Sequence, residues 1–249
     1  MKIAIVGIGS IGGNLARRLA AAGHQVSVAN SRGKAAVSSF AREAGVTPAD
    51  LKGAIDGADA VILAVPLPAM ATLPKDLLSE LPSSVPVVDT SNYYPGLRDA
   101  RIRSLESGQT ESVWVSEQIG RPVIKAFNNL LAYSLENLGQ PKGTEGRLGV
   151  AVAGDDAHQK TLVMQLVDDV GFDPVDSASL EDSWRQQPCT PAYCCDYTAA
   201  QMRPALAAAV KGAAAPKREE FNVRLPELFA SNPSHADVVA FNRRFNAVD

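Results

Sequence analysis

The sequence has few cysteines, and those few do not suit a disulfide framework. The chain of 249 residues has only three cysteines, Cys189, Cys194 and Cys195. Their odd number and their position in one short stretch favour a reducing compartment, so we expect a cytoplasmic protein. The three histidines lie in distant segments, and the cysteine spacing is not that of a zinc site, so we expect no metal.

Positive charge and long apolar runs are also missing. The formal net charge of −3 gives no basis for a nucleic-acid surface. The most apolar segment, ADAVILAVPLPAMATLP, contains three prolines and is too short to span a bilayer, so we expect no membrane partner. The opening MKIAIVGIGSIGG has one basic residue and only a brief apolar run, which is not the pattern of a signal peptide.

Short apolar runs instead alternate with helix-like stretches. Six runs predict strands: KIAIVG, HQVSVAN, DAVILAV, VPVVDT, RPVIKAF and RLGVAVAG. A short piece lies near GVTP, and FDPVDS predicts a last edge strand. Continuous apolar runs are typical of strands that are covered on both faces by helices. The pattern therefore predicts an α/β fold with a Rossmann-type, doubly wound, mostly parallel sheet.

The composition changes after about Ser179, where the apolar strand-like runs end. The remaining segments predict short helices, with a loop at GAAAPKRE (212–219). A further helix is predicted from about Lys34 to Ala44. We expect a nucleotide-binding Rossmann domain over residues 1–178. A small helical C-terminal region over 179–249 should pack back onto it and form one wall of a cleft.

A glycine motif links the first strand to the first helix. It is a complete G-x-G-x-x-G, formed by Gly7, Ile8, Gly9, Ser10, Ile11 and Gly12. An apolar strand stands directly before it and an amphipathic helix directly after it, which is the context of a dinucleotide-binding turn. Gly7 permits the tight turn, Gly9 allows a pyrophosphate to approach, and Gly12 allows close packing of the helix. Backbone N–H groups near Ser10 then point at the phosphates.

The second strand ends in Asn30, Ser31, Arg32 and Gly33, with Lys34 following. In sites specific for NAD an acidic residue near this position binds the ribose hydroxyls. Here an amide, a hydroxyl and a guanidinium replace the carboxylate, and these groups donate hydrogen bonds to a 2′-phosphate. The alternative is that this segment is a solvated loop in which Arg32 faces water and binds no phosphate. The pattern favours NADP(H) as the cofactor.

Three later strand ends complete the predicted cleft. Ala64, Val65 and Pro66 end the third strand at the edge where ligands of such sheets bind. After VVDTSN, Tyr93 and Tyr94 either form the floor under a flat ring or are surface residues of an Asx-type turn. In VIKAFNN, Lys125 is interpreted more readily as a surface charge than as a general acid. Ala126 is a further candidate contact of the cofactor.

Taken together, the segments KIAIVGIGSIGGNLA, ANSRG, ADAVILAVP, VVDTSNYYP, VIKAFNN and AVAGDD resemble the family of coenzyme F420-dependent NADP oxidoreductases and, more distantly, the reductase domain of STEAP-type metalloreductases. The resemblance covers about residues 1–176. It implies hydride exchange between NADP(H) and a flavin or deazaflavin co-substrate, with Ser31 and Arg32 at the 2′-phosphate and 125–128 beneath the nicotinamide. Family analogy also suggests a homodimer. Where the family has an apolar helix start, this chain has Trp184, Arg185, Gln186 and Gln187.

Three functions remain open from the sequence. The first is a reductase that aligns two rings or a ring and another small acceptor, for which no catalytic dyad is needed. The second is an enzyme like the β-hydroxyacid dehydrogenases, which need a catalytic lysine on a long helical domain. The third is a non-enzymatic NADPH sensor. No catalytic residue is assigned, although Trp184, Gln186, Gln187 and Cys194 are candidates for the acceptor side of the cleft.

Overall fold

A computed structural model describes residues 1–247 of the chain and contains a six-stranded parallel sheet. The strand order is β3-β2-β1-β4-β5-β6, and every neighbouring pair is parallel. The strands are β1 (Lys2–Val6), β2 (Gln25–Ala29), β3 (Thr47–Pro48), β4 (Ala60–Leu63), β5 (Val87–Asp89) and β6 (Ile124–Lys125). The predicted Rossmann-type fold class is confirmed.

Both faces of this sheet are buried. In β1, Ile3 and Ile5 belong to one hydrophobic cluster, while Ala4 and Val6 belong to the other. Since successive side chains of a strand point to opposite faces, a strand covered on both sides must be apolar at every position. This requirement explains why the strands appear in the sequence as continuous apolar runs.

Seven helices precede residue 170. They are α1 (Ser10–Ala21), α2 (Ser38–Ala44), α3 (Leu51–Ile55), α4 (Arg103–Glu106), α5 (Glu111–Ile119), α6 (Ala132–Asn137) and α7 (Ala157–Asp169). Two 3-10 helices, Lys34–Val37 and Leu67–Thr72, follow the ends of β2 and β4. The helix predicted from about Lys34 to Ala44 is thus a 3-10 turn followed by α2, because its first residues form i to i+3 hydrogen bonds such as Ala36 N–H to the Gly33 carbonyl.

A second, smaller sheet continues the first. Its parallel strands are β7 (Gly149–Val152) and β8 (Asp173–Asp176), and backbone hydrogen bonds between Lys125 and Ala153 join it to β6 in antiparallel orientation. The strand predicted over RPVIKAF is only two residues long, because the backbone leaves the extended conformation at Phe127, whose φ is 62°. The edge strand predicted at FDPVDS is confirmed as β8.

The C-terminal part is helical. After a 3-10 helix at Glu181–Gln186 come α8 (Ala199–Ala208), α9 (Ala214–Ala230) and α10 (His235–Phe245). Met202 and Leu206 of α8 pack with Ala151 and Val175 of the smaller sheet. The division of the chain at residue 178 stays a prediction. Within residues 1–247, no helix has the length and apolar character that crossing a membrane requires.

The predicted loop at 212–219 is wrong, because α9 already begins at Ala214. Pro216 of this segment lies in the first turn of that helix. The N–H groups of a first turn have no partner within the helix, so a proline is tolerated there.

Candidate active site

The glycine turn between β1 and α1 is sterically tight on one side. Gly7 has a φ of 101°, and a Cβ at this position would lie 2.3 Å from the carbonyl oxygen of Ala64. A Cβ at Gly12 would lie 2.0 Å from the carbonyl oxygen of Gly7. These two glycines are therefore required by the protein itself, because the turn, α1 and the end of β4 approach one another closely.

The other side of the turn is open. A Cβ at Gly9 would meet no heavy atom within 4 Å, and the backbone of Gly9 is in an extended conformation that any residue adopts. No side chain caps the start of α1, and its first turn carries no acidic residue. The N–H groups at the helix start thus face space that the protein leaves free, which fits an anionic ligand.

The turn after β2 is exposed and lies next to the glycine turn. Gly7 N–H donates to the Ala29 carbonyl, which places Asn30 beside the start of the glycine motif. Asn30 Oδ1 accepts a 2.9 Å hydrogen bond from the Arg32 N–H, so the loop is an Asx-type turn. The side chains of Ser31, Arg32 and Lys34 are exposed. The turn carries no carboxylate.

A cleft of about 360 Å³ opens at the carboxyl ends of β1, β4 and β5. Such edges are where open α/β sheets bind ligands. Its lining residues come from five segments of the chain: Gly9, Ser10, Ile11, Ala64, Val65, Pro66, Thr90, Ser91, Asn92, Tyr94, Arg98, Phe127, Asn128, Leu130, Leu131, Ala132, Tyr193 and Cys194.

The structure brings together six of the residues predicted as cofactor contacts, namely Gly9, Ser10, Ile11, Ala64, Val65 and Pro66. Gly7, Ile8 and Gly12 belong to the same turn but do not line the cleft. Ala126 is fully buried in the core, one residue before the lining. The turn at Asn30, Ser31, Arg32 and Lys34 lies outside the cleft, at the neighbouring strand end.

An amide network forms the wall opposite the glycine turn. Asn128 Nδ2 donates to Asn92 Oδ1 at 3.0 Å and to the Gln186 carbonyl at 2.8 Å. Gln186 Nε2 donates back to Asn128 Oδ1 at 2.9 Å and to the Ala151 carbonyl at 3.1 Å. Asn92 Nδ2 donates to the Asn128 carbonyl at 2.9 Å. The three amides fix one another, so this wall is preorganised.

Two tyrosines extend this wall. The hydroxyls of Tyr94 and Tyr193 are hydrogen-bonded to each other, and Asn92 Nδ2 donates to the Tyr193 hydroxyl at 3.3 Å. Burial raises the pKa of both phenols well above the ordinary value, so both are neutral at physiological pH. The guanidinium of Arg98 lies 4.9 Å from the centre of the Tyr94 ring. Tyr93, in contrast, is fully buried, and its hydroxyl accepts from the Ile102 N–H.

The Ser91 hydroxyl is buried and has no hydrogen-bond partner among residues 1–247. Ser91 lines the cleft and is only 5% exposed. A buried hydroxyl without a partner is costly, and a ligand in the cleft would supply one. Together with the open space at Gly9, this atom shows that the residues present fit a bound dinucleotide.

Lys125 is not a surface charge, so that interpretation of the sequence is wrong. Its side chain is 1% exposed, and Nζ donates to Asp89 Oδ2 at 3.0 Å and to the carbonyl of Ser91. Ser112 Oγ also donates to Asp89 Oδ2, at 2.7 Å. Lys125 does not line the cleft itself. Through Asp89 and the Ser91 carbonyl it fixes the loop after β5, which forms the floor of the cleft.

The segment from Cys189 to Asp196 has an unusual backbone that α10 holds in place. Three non-glycine residues have positive φ: Cys189 (67°), Cys194 (53°) and Asp196 (47°). Side chains of α10 and of the residue after it donate to four successive carbonyls: Asn246 to Tyr193, Asn242 to Cys194, and Arg243 to both Cys195 and Asp196. Left-handed backbone costs free energy and persists where its surroundings enforce it. The C-terminal helix therefore positions Tyr193 and Cys194 at the cleft.

Of the four residues predicted for the acceptor side of the cleft, the structure places only one in its lining. Cys194 lines the cleft, but Trp184, Gln186 and Gln187 do not. Trp184 is a buried residue covered by Arg185, and Gln186 supports the cleft from behind through Asn128. The sequence reasoning missed Tyr193 and Arg98. Their neighbours carry no recognisable motif, so only the folding of distant segments onto one edge identifies them.

The chain thus has a Rossmann-type fold with a cleft at the carboxyl ends of its parallel strands, and comparison with known proteins gives the family. The model of the family "NADP oxidoreductase coenzyme F420-dependent" matches residues 2–93. The Escherichia coli K12 protein YjhV is 46% identical over 132 residues, which are 51% of this chain and 84% of YjhV. The crystal structure of the Sinorhizobium meliloti protein SMa0349 is 34% identical, covers 75% of this chain and 89% of its own, and has a TM-score of 0.62.

A candidate F420-dependent NADP reductase from Arthrobacter sp. FB24 has the same fold, with a TM-score of 0.59 at 23% identity. It covers 72% of this chain and 86% of its own. The chain belongs to the family of coenzyme F420-dependent NADP oxidoreductases, as its motifs predict.

Proposed function

We propose that the protein transfers hydride between NADP(H) and a small acceptor bound in the cleft, with a flavin or deazaflavin ring as the family's acceptor and other small acceptors included. The observation that carries the proposal is the cleft itself. It joins the open side of the glycine turn to a preorganised polar wall that contains Asn92, Asn128 and Tyr193. One end suits an anionic nucleotide, and the other offers hydrogen bonds to a second molecule.

Binding of the nucleotide is assigned to two turns. The N–H groups at the start of α1 would bind the pyrophosphate, with Gly9 giving it access. Arg32, Ser31 and Lys34 would bind the 2′-phosphate from the neighbouring turn, where no carboxylate opposes it. Ala64 to Pro66 would lie along the cofactor, and the segment after β6 beneath its nicotinamide.

When bound, the cofactor supplies the hydride, and the protein supplies position and surroundings. The amide network fixes the wall against which the acceptor lies, and α10 fixes the segment that carries Tyr193. Leu130, Leu131 and Phe127 form apolar parts of the cleft that exclude water from the reacting centres. Proximity and orientation account for much of the rate in such a transfer.

A β-hydroxyacid dehydrogenase mechanism is less well supported, because it needs a lysine at the substrate. The cleft lining within residues 1–247 includes no lysine. In the C-terminal helical region, Lys211 is paired with Glu181, and Lys217 donates to the Ala247 carbonyl. A sensor without enzymatic activity would use the same nucleotide site, and turnover distinguishes it from an enzyme.

The test is a titration of NADPH and NADH by fluorescence, followed by an assay of NADPH oxidation with FMN, with a deazaflavin and with small aldehydes. We expect tighter binding of NADPH than of NADH and turnover with at least one acceptor class. Binding without any turnover would favour the sensor, and absence of binding would overturn the proposal. The homodimer suggested by family analogy remains a proposal, and light scattering of the purified protein tests it.

A further inference from the structure

The tyrosine pair in the cleft has one hydrogen to spare. A phenol has a single hydrogen and accepts hydrogen bonds on its oxygen. The Tyr193 oxygen already accepts from Asn92 Nδ2, and Tyr94 and Tyr193 share one further hydrogen bond. If Tyr193 donates within the pair, the Tyr94 hydroxyl keeps a hydrogen for which residues 1–247 provide no acceptor. If Tyr94 donates, the Tyr193 hydrogen has only the sulfur of Cys194 beside it, which is a weak acceptor. Both tyrosines line the cleft, so a ligand there can accept it.

We propose that this spare phenolic hydrogen is the proton donor to the bound acceptor, and that the acceptor carries a C=O or C=N group. The inference rests on the proposed function, and it makes Tyr94 and Tyr193 catalytic residues. Hydride transfer to an acceptor of this class leaves a negative charge on the heteroatom, which a positioned acid neutralises.

For an acceptor with a C=O group, the reaction combines hydride transfer to the carbon with proton transfer to the oxygen. The carbon gains a hydride, the π electron pair moves to the oxygen, and a new O–H bond forms as the phenolic O–H bond breaks. The acceptor is reduced by two electrons, and NADPH, the reductant of the proposed function, is oxidised to NADP⁺. The tyrosinate regains its proton from water, directly or through the other tyrosine.

Three features of the surroundings suit this role. The Arg98 guanidinium, 4.9 Å from the centre of the Tyr94 ring, stabilises the anion that remains after proton transfer. Arg98 is itself held by Asp99 at 2.8 Å and by the Asn92 carbonyl at 2.7 Å, so the charge is fixed in position. The carbonyl of Tyr193 is held by Asn246, which fixes the backbone beneath the phenol. Burial keeps both phenols protonated before the step.

The experiment compares two hydride acceptors that differ in their need for a proton. Reduction of p-nitrobenzaldehyde requires hydride and a proton on oxygen, whereas reduction of N-methylacridinium requires hydride alone. We expect Tyr94→Phe, Tyr193→Phe and the double variant to lower kcat/KM for the aldehyde, with the double variant losing about a hundredfold or more. Their kcat/KM for the acridinium should fall at least tenfold less than their kcat/KM for the aldehyde, because the acridinium needs no proton. Tyr133→Phe, at an exposed tyrosine outside the cleft, is the matched control.

A second readout does not depend on turnover. Quenching of tryptophan fluorescence measures binding of p-nitrobenzaldehyde to the nucleotide-free protein. The double variant should bind it several-fold more weakly, because a hydrogen bond to the carbonyl is lost. Circular dichroism establishes folding, and if Tyr193→Phe does not fold, Tyr94→Phe decides the question.

Failure of the proposed function and failure of the proton-donor role give different results in these assays. If the unmodified protein oxidises NADPH with none of p-nitrobenzaldehyde, N-methylacridinium, FMN and a deazaflavin, the proposed function fails and the inference fails with it. If turnover occurs but the variants lose both acceptors equally or lose neither, the proposed function stands. The tyrosines are then not the proton donor.

Discussion

Lys125 and Asp89 form an ion pair that water does not reach, with Nζ 3.0 Å from Oδ2 beneath the floor of the cleft. Asp89 Oδ1 also accepts from the Ser91 N–H at 2.8 Å, so the pair fixes the loop that follows β5. A buried ion pair contributes little net stability, but the loss of one partner leaves the other charge buried and uncompensated.

Lys125→Met should therefore destabilise the fold by about 3–5 kcal/mol, because Asp89 loses its counter-ion. Unfolding by urea measures the free energy. Lys142→Met is the matched control, since Lys142 is 82% exposed and pairs with Asp168, and such surface pairs contribute about 0–1 kcal/mol. If the two variants lost the same free energy of unfolding, the burial of the Lys125–Asp89 pair would not be the cause of the loss.

Replacement by alanine should have different effects at two glycines of the turn between β1 and α1. Gly9→Ala should leave folding intact, because its Cβ meets no protein atom within 4 Å, and should weaken NADP and NAD alike. Gly12→Ala should lower the melting temperature, because its Cβ would lie 2.0 Å from the Gly7 carbonyl oxygen. Circular dichroism and nucleotide titration measure both effects. Unchanged NADP affinity in Gly9→Ala would place the dinucleotide elsewhere.

The turn after β2 should decide between the two nucleotides. Arg32→Ala is expected to cost NADPH binding roughly 1.5–3 kcal/mol, or about ten- to a hundredfold in affinity, while NADH binding stays nearly unchanged. The loss should shrink at high salt, because the turn is exposed. Fluorescence titration at two salt concentrations measures it, and Arg42→Ala, at an exposed position of α2, is the control.

Asn30→Asp tests the same turn from the opposite direction. Asn30 Oδ1 accepts from the Arg32 N–H, and an aspartate keeps that acceptor, so the turn should retain its shape. The added negative charge should repel a 2′-phosphate and accept from ribose hydroxyls, which shifts the preference towards NADH. Were Arg32→Ala and Asn30→Asp to weaken both nucleotides equally, the turn would not bind the phosphate.

Asn246, directly after α10, is expected to position Tyr193 in the cleft. Asn246→Ala removes the donor to the Tyr193 carbonyl, and both groups are buried, so we expect a loss of about 1–3 kcal/mol in stability. Turnover should fall through kcat, while NADPH affinity should be retained, because Asn246 does not line the cleft and acts only through Tyr193. Asn137→Ala, on the exposed face of α6, should change neither. A fall in NADPH affinity equal to that in kcat would contradict the positioning role.

The cysteines should be unreactive in the native protein. Burial raises the pKa of Cys195 to about 11 and that of Cys189 to about 12. Near neutral pH the thiolate fraction of Cys195 is about a hundredfold below that of a free thiol, so labelling by iodoacetamide should be slow until the protein unfolds. Because the folded pKa is raised, these thiols favour the folded state less as pH rises from about 9 to 11. The stability of Cys195→Ala should therefore fall less over this range.

The sequence alone determined the fold class and the nucleotide turn. Continuous apolar runs are the direct consequence of strands buried on both faces, and the glycine spacing follows from a backbone that must turn and pack closely. These features are local, because each lies within one strand or one turn. The family follows from the same segments.

The tertiary structure decided what lies opposite that turn. Tyr94 and Tyr193 are 99 residues apart, and only the return of the C-terminal segment to the sheet edge brings their hydroxyls together. Lys125 follows an apolar strand in a way that a surface lysine also would, and its partner Asp89 lies 36 residues away. Pair contacts of this kind depend on how the strands are ordered and how α10 holds the intervening loop. A single sequence contains no local signal for them, because their free energy depends on burial that exists only in the folded protein.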